Sequence, residues 1–199
     1  MQTTAGEQHL HTRRLTLRRQ READAVVFRQ LWTERDPRVP PHRRIDADGH
    51  PTEAEIAAHI RASRDATGPE LLTVVRHEPQ DVIGYCGLVV TENGAPDEPE
   101  LAFELLHAVH GHGFATEAAG AVLASAAEAG YERLWASVWD WNIASRRVLA
   151  KLGFRDTGRV VRESAHGRSL LTVREPSRRE TATGDSPRLN RADIMCIIG

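Results

Sequence analysis

The decapeptide from His110 to Ala119, HGHGFATEAA, places imidazoles and glycines immediately before a helix-forming run, and two chemistries compete for it. Glycine lets the backbone approach an anion closely, and the first amides of a helix have no intrahelical acceptor, so the stretch can cradle a phosphate. Glycines at a strand-to-helix turn also occur with no ligand at all, so the spacing alone does not decide. GHGFA lacks the Lys and Ser/Thr of a Walker loop and is too short for a dinucleotide fingerprint. The second chemistry is a metal, because His107, His110 and His112 lie close together and imidazole is a common ligand. No thiolate accompanies them, so ordinary surface or packing histidines are the better reading and no metal is expected. Neither Cys86 nor Cys196 falls in a recognised nucleophile arrangement.

Hydropathy spacing predicts the elements that must hold this stretch. ELAFELL (100–106) alternates as a strand, and from Ala115 to Ala129 the residues Ala118, Ala119, Val122, Leu123, Ala126 and Ala127 line a helical face that Gly130 stops. LWASVW (134–139) reads as a strand, followed by a short helix from Ile143 to Leu152 that Asn142 can cap and Gly153 can end. Upstream, LTLRR (15–19), LLTVVR (71–76) and DVIGYCGLVVT (81–91) are strand-like, and Arg21 to Trp32 and Pro51 to Ala62 have helical character. FRDTGRVVRE and SLLTVRE form a closing hairpin around AHGR. The stretch 33–52, rich in Pro, Arg, Asp and His, reads as a loop or a poorly ordered excursion. The result is an α/β protein with a mixed central sheet of about six or seven strands flanked by helices.

At 199 residues the chain suits one domain, expected over 12–175, after a flexible leader at 1–11 and before a polar tail at 176–199 with the composition of disorder. A formal charge of -2 argues against nucleic acid as a partner. Two cysteines in dissimilar contexts suit a reducing compartment, and the absence of a signal-like or membrane-length apolar run leads to an expected cytoplasmic location. Trp135, Trp139 and Trp141 invite assignment to a substrate pocket, but aromatics at this spacing more often pack in a core or subunit contact.

Taken together, PELAFELLHAVHGHGFATEAAGAVLASAAEAG and WDWNIASRRVLAKLGF resemble the GCN5-related N-acetyltransferase superfamily, especially its branch of ribosomal-protein N-terminal acetyltransferases, with the likeness running from about Thr12 through Arg174. The resemblance implies a splay between the strands at 100–106 and 134–139 that admits the pantetheine of acetyl-CoA. It also implies a diphosphate site at the amides of His112, Gly113, Phe114, Ala115 and Thr116. The family's pattern begins with Gln or Arg where this chain has His110, so that side chain's usual role does not carry over. Glu100 matches the acidic residue expected to accept the ammonium proton. Asn142 matches a residue expected to hold pantetheine or cap the helix, and Ser145 one expected near the thioester sulfur or on the helix surface. Leu149 occupies the position where many relatives carry a tyrosine general acid, and it has no proton to donate. The implied activity is direct acetyl transfer from acetyl-CoA to a primary amine, either a protein N-terminus or a small molecule, without metal, with a homodimer possible. A cofactor-binding sensor and a structural partner-binding protein stand as alternatives.

Overall fold

The computed structural model describes residues 9–64, 67–95 and 97–175. Eight strands form one sheet: β1 (Leu10–His11), β2 (Leu15–Arg19), β3 (Leu71–Arg76), β4 (Val82–Val89), β5 (Glu100–Leu105), β6 (Leu134–Trp139), β7 (Arg155–Ser164) and β8 (Gly167–Arg174). Their spatial order is β1-β2-β3-β4-β5-β6-β8-β7. The sheet is larger than the expected six or seven because Leu10–His11 pairs antiparallel with Leu17 and Thr16. The last residues of the expected leader are therefore part of the sheet, while 1–8 and the tail at 176–199 lie outside the described residues.

Four helices cover the sheet: α1 (Ala25–Glu34), α2 (Glu53–Ala62), α3 (Phe114–Glu128) and α4 (Ile143–Lys151). The helix expected from Arg21 begins later, because Glu22–Asp24 makes a 3-10 turn. The Asp24 carboxylate accepts hydrogen bonds from the Arg21 amide (2.8 Å), the Thr73 hydroxyl (2.6 Å) and the Arg18 guanidinium (2.7 and 2.8 Å), which pins the turn to the sheet. α2 starts at a reciprocal cap, in which Thr52 Oγ1 accepts from the Glu55 amide and Glu55 Oε2 accepts from the Thr52 amide. Among the described residues no helix is long and apolar enough to cross a membrane.

The small-residue stripe of α3 explains how closely this helix lies on the sheet. Ala118, Ala119, Val122, Leu123 and Ala126 are all buried, against a core that includes Leu15, Leu17, Ile83, Cys86 and Leu101. Burying Val122 and Leu123 stabilises the contact by about 1.5–3 kcal/mol each. A second cluster, with Phe28, Leu31 and Ile60 around Tyr85, seats α1 and α2 on the opposite side.

All neighbouring strands are antiparallel except β5 and β6, which are parallel and share one register pair, Glu100 with Trp135. Beyond it the two strands part, as expected, and among the described residues the β6-facing peptide groups of β5 have no strand partner. α3 follows the free end of β5 and α4 follows that of β6, so the parting points at two helix N-termini.

Candidate active site

A cleft of about 600 Å³ opens where β5 and β6 diverge. One wall comes from the end of α1 and the segment after it, with Glu34, Arg35, Asp36 and Arg38. The floor comes from Phe103, Glu104 and Leu105, and the far wall from Gly113 to Thr116 together with Asn142, Ser145, Arg147 and Lys151. The stretch 33–39, expected to belong to a loop or poorly ordered excursion, is thus a structured wall of the site. A small hollow continues between the strands, lined by Leu101 to Phe103, Ala136 to Val138, Ser145 and Leu149.

At the far wall, Gly113 caps α3 with φ 81°, a left-handed conformation that glycine adopts without the cost a side chain imposes. The first intrahelical bond is made by the Glu117 amide to the Gly113 carbonyl (3.0 Å). The amides of Phe114, Ala115 and Thr116 therefore have no helical acceptor and form the positive end of a 15-residue helix. His110 Nε2 donates to the Leu105 carbonyl (2.8 Å). The residue that departs from the family pattern thus braces the loop against the strand it leaves. His112 does not line the cleft, although its carbonyl is held by Arg14 Nη1 (3.0 Å). Glu117 does not line the cleft: it accepts from Thr12 Oγ1 (2.7 Å), the Arg14 amide (2.9 Å) and Arg14 Nε (2.7 Å), tying the start of the sheet to the first turn of α3.

Asn142 Oδ1 accepts the Ser145 amide (3.0 Å), so the cap on α4 is formed. Ser145 borders both the cleft and the hollow, and its hydroxyl has no protein partner among the described residues. Arg147 and Lys151, one helical turn apart, line the same wall, and neither forms an ion pair among the described residues. Leu149 is buried beneath them.

Glu100 does not reach the cleft. Its side chain is 0% exposed at the point where β5 and β6 still pair, with Asn93 Nδ2 (2.7 Å) and Ser137 Oγ (3.0 Å) donating to its carboxyl. Burial pushes that carboxyl above its usual range, against the opposing effect of these hydrogen bonds. The carboxylate on β5 that does line the cleft is Glu104, on the same strand face four residues on. It is bound bidentately by Arg35 Nε (2.8 Å) and Nη2 (2.6 Å) and accepts from the Tyr85 hydroxyl (2.7 Å). Burial alone would raise Glu104, but the hydrogen bonds and charge of Arg35 outweigh it and hold the group below the ordinary value.

The tryptophans separate. Trp139 is buried as expected, and Trp135 Nε1 donates to Glu98 (2.9 Å). Trp141 instead lines the cleft, stacked on Trp139 (6.1 Å, 9° between planes) with the Arg38 guanidinium 4.2 Å from its ring centre. Sequence reasoning also passed over Glu34, Arg35, Arg38, Arg147 and Lys151. For the first three, the density of charge in 33–44 was the available signal. Among the described residues no group of three or more His, Cys, Asp or Glu side chains is placed to hold a metal.

Residues 14–155 match the family described as Acetyltransferase (GNAT) domain. An uncharacterized N-acetyltransferase of Mycobacterium tuberculosis is 32% identical over 158 residues, covering 77% of this chain and 96% of the relative. A GnaT-family acetyltransferase from Bordetella pertussis superposes with a TM-score of 0.66 at 26% identity, over 84% of this chain and 99% of the other. The RimJ protein of Mycobacterium smegmatis, in complex with CoA-disulfide, shares the fold with a TM-score of 0.63 at 21% identity, over 81% of each chain.

Proposed function

The chain belongs to the acetyltransferase (GNAT) family, and from that membership we propose that it is an N-acetyltransferase moving an acetyl group from acetyl-CoA to a primary amine. The observation that carries this reading is the parting of β5 from β6 in front of the glycine-led N-terminus of α3. The parted edge of β5 offers unpaired peptide groups to the amides of a pantetheine arm. The amides from Gly113 to Thr116 offer donors to a diphosphate, and Arg147 and Lys151 add two cations to the same wall. The CoA-disulfide complex of the Mycobacterium smegmatis relative supports a donor of this class. Protein N-termini are the acceptor we favour, on the sequence likeness to the ribosomal-protein branch.

When bound, acetyl-CoA supplies an acyl carbon activated as a thioester. The chain's part is to align it with a neutral amine, so that the N–C bond forms as the C–S bond breaks and the proton released by the nitrogen ends on the departing sulfur. The Ser145 hydroxyl, without a partner among the described residues and at the boundary of cleft and hollow, is the group we assign to donate a hydrogen bond to the departing sulfur. With Leu149 in the hollow, no phenol is present there to do so. Asn142 holds Ser145 in place through the cap. We assign Glu100 to fixing the point where the strands part and not to proton removal.

Two results test this reading. Ala115 is the second residue of α3, where proline's fixed φ is tolerated, so Ala115→Pro removes one cradle amide while leaving the helix intact. Losing one hydrogen bond to a charged phosphate should weaken acetyl-CoA about tenfold to a hundredfold by calorimetry, with an unchanged circular dichroism spectrum. Unchanged affinity in the folded variant would remove the cradle.

Glu100→Gln should keep turnover within about threefold, because the amide oxygen still accepts from Asn93 and Ser137. The sign for stability follows from the raised folded pKa. Ionised Glu100 costs stability above its unfolded value of 4.5, so the variant should match or exceed the wild type at pH 7 and lose that advantage below about pH 4.5. A loss of turnover of about a hundredfold in a folded variant would restore Glu100 as the base.

A further inference from the structure

The cleft has two electrically opposite ends. Arg147 and Lys151, unpaired among the described residues, form one with the α3 amides, and three carboxylates, Glu34, Asp36 and Glu104, with two arginines, Arg35 and Arg38, form the other. Two of these carboxylates are already neutralised in place. Glu104 is held bidentately by Arg35, and Asp36 is held by Arg38 Nε (2.9 Å) and Nη2 (2.7 Å). Glu34 is different. Among the described residues its oxygens accept only from neutral donors, the His107 amide (2.8 Å) and Gln30 Nε2 (2.8 Å), and no cation meets it.

Its position in the helix deepens the contrast. Glu34 is the last residue of α1, where the unsatisfied carbonyls already form a negative end and an acidic side chain is electrostatically unfavourable. The two hydrogen bonds fix the carboxylate, yet each oxygen keeps a further lone pair. Bracing the His107 amide does not require charge, since a neutral glutamine would accept that bond equally well. A fixed, uncompensated carboxylate on the wall of a cleft, at the negative end of a helix, is a receptor for a cation.

We infer that Glu34 is the residue that receives the positively charged amine of the acceptor. The inference rests on the acetyl-transfer reading, and it gives the cleft a division of labour. The anionic donor is drawn to the α3 and α4 wall and the cationic acceptor to the α1 wall, so each substrate is steered to its own end and repelled from the other. The acceptor arrives as an ammonium held by Glu34, gives one proton to solvent water in the open cleft, and attacks as the neutral amine.

The test is steady-state kinetics with labelled acetyl-CoA and a panel of peptides with free N-termini and small primary amines, comparing the wild type with Glu34→Gln and Glu34→Asp. Glu34→Gln should raise the acceptor KM about tenfold, as expected for loss of a charge-assisted contact, with the acetyl-CoA Kd unchanged. Glu34→Asp should fall between the two, and added salt should raise the wild-type KM toward that of the glutamine variant. A purely structural role would leave the glutamine variant's KM and salt dependence like those of the wild type, and that result overturns the assignment alone. Tight acetyl-CoA binding by the wild type with no turnover of any amine overturns the transfer reading and this inference with it.

Discussion

Removing the Arg35 guanidinium should cost the fold about 3–5 kcal/mol, because Glu104 would then be left as a largely buried carboxylate without its counterion. The Arg35 side chain is 2% exposed, and it also donates to the Arg43 carbonyl (2.8 Å), so Arg35→Ala loses packing and an anchor for the cleft wall at once. Urea titration at pH 7 checks the magnitude. The pH dependence checks the cause. In the wild type the folded pKa of Glu104 is lowered, so its contribution is complete above the unfolded value of 4.5 and is lost as pH falls through the folded one. Without Arg35, burial is left as the main influence and raises the group instead, so the variant's deficit should shrink on acidification. Adding Glu104→Gln to Arg35→Ala should recover part of the loss at pH 7, since a neutral amide is far cheaper to bury than a lone charge. A deficit that is independent of pH and of residue 104 would mean that the pair matters only through packing.

The second large effect should come from the neighbouring strand. Gly84 has φ 146°, and a Cβ there would lie 2.1 Å from the Glu104 carbonyl oxygen and 2.8 Å from the Leu105 Cα, both backbone atoms of β5. Backbone atoms cannot swing aside as a side-chain tip can, so Gly84→Ala must shift β5 against β4, where Gly84 pairs with Leu105 and Tyr85 with Glu104. Strain and overpacking together should cost about 3 kcal/mol or more. The change also displaces Glu104 from Arg35 and Tyr85. The expected outcome is a sharp fall in soluble yield and in the urea midpoint. A fully stable Gly84→Ala protein would mean that the two strands approach less closely than described.

What could be read from the sequence was local in origin. The amide cradle lies within a few residues of Gly113, the Asn142 cap acts on Ser145 three residues on, and the alternation of ELAFELL puts Glu100 and Glu104 on one face. Which of those two glutamates meets the cleft was not legible. It depends on where β5 leaves β6 and on Asn93 folding back onto Glu100, neither of which has a local pattern. Arg35 and Glu104 are 69 positions apart and Arg14 and Glu117 are 103 apart, so their pairing follows from the finished topology and not from spacing. The segment 33–52 looked unstructured because Pro, Asp and Arg suppress periodicity, yet its first residues are fixed by charge pairing and by the stacking of Arg38 on Trp141.

The single rung between β5 and β6 also bears on how the molecule holds together. On one side stands a meander of five antiparallel strands, β1 to β5, and on the other a separate block of three, β6, β8 and β7. The backbone joins them within the sheet through the pair at Glu100 and Trp135, reinforced by the Trp135 amide to the Pro99 carbonyl (3.0 Å). One buried cluster is shared by the two blocks, from Leu15, Leu17 and Ile83 to Leu134, Ala136 and Val138. Side-chain packing more than backbone pairing therefore holds the seam, and the amides flanking it should exchange faster than those of the fully laddered pairs. On the proposed reading, an extended arm lying in the gap supplies the rungs the polypeptide leaves out. The substrate then serves as a ninth strand, and the break in the backbone ladder is closed for as long as it stays.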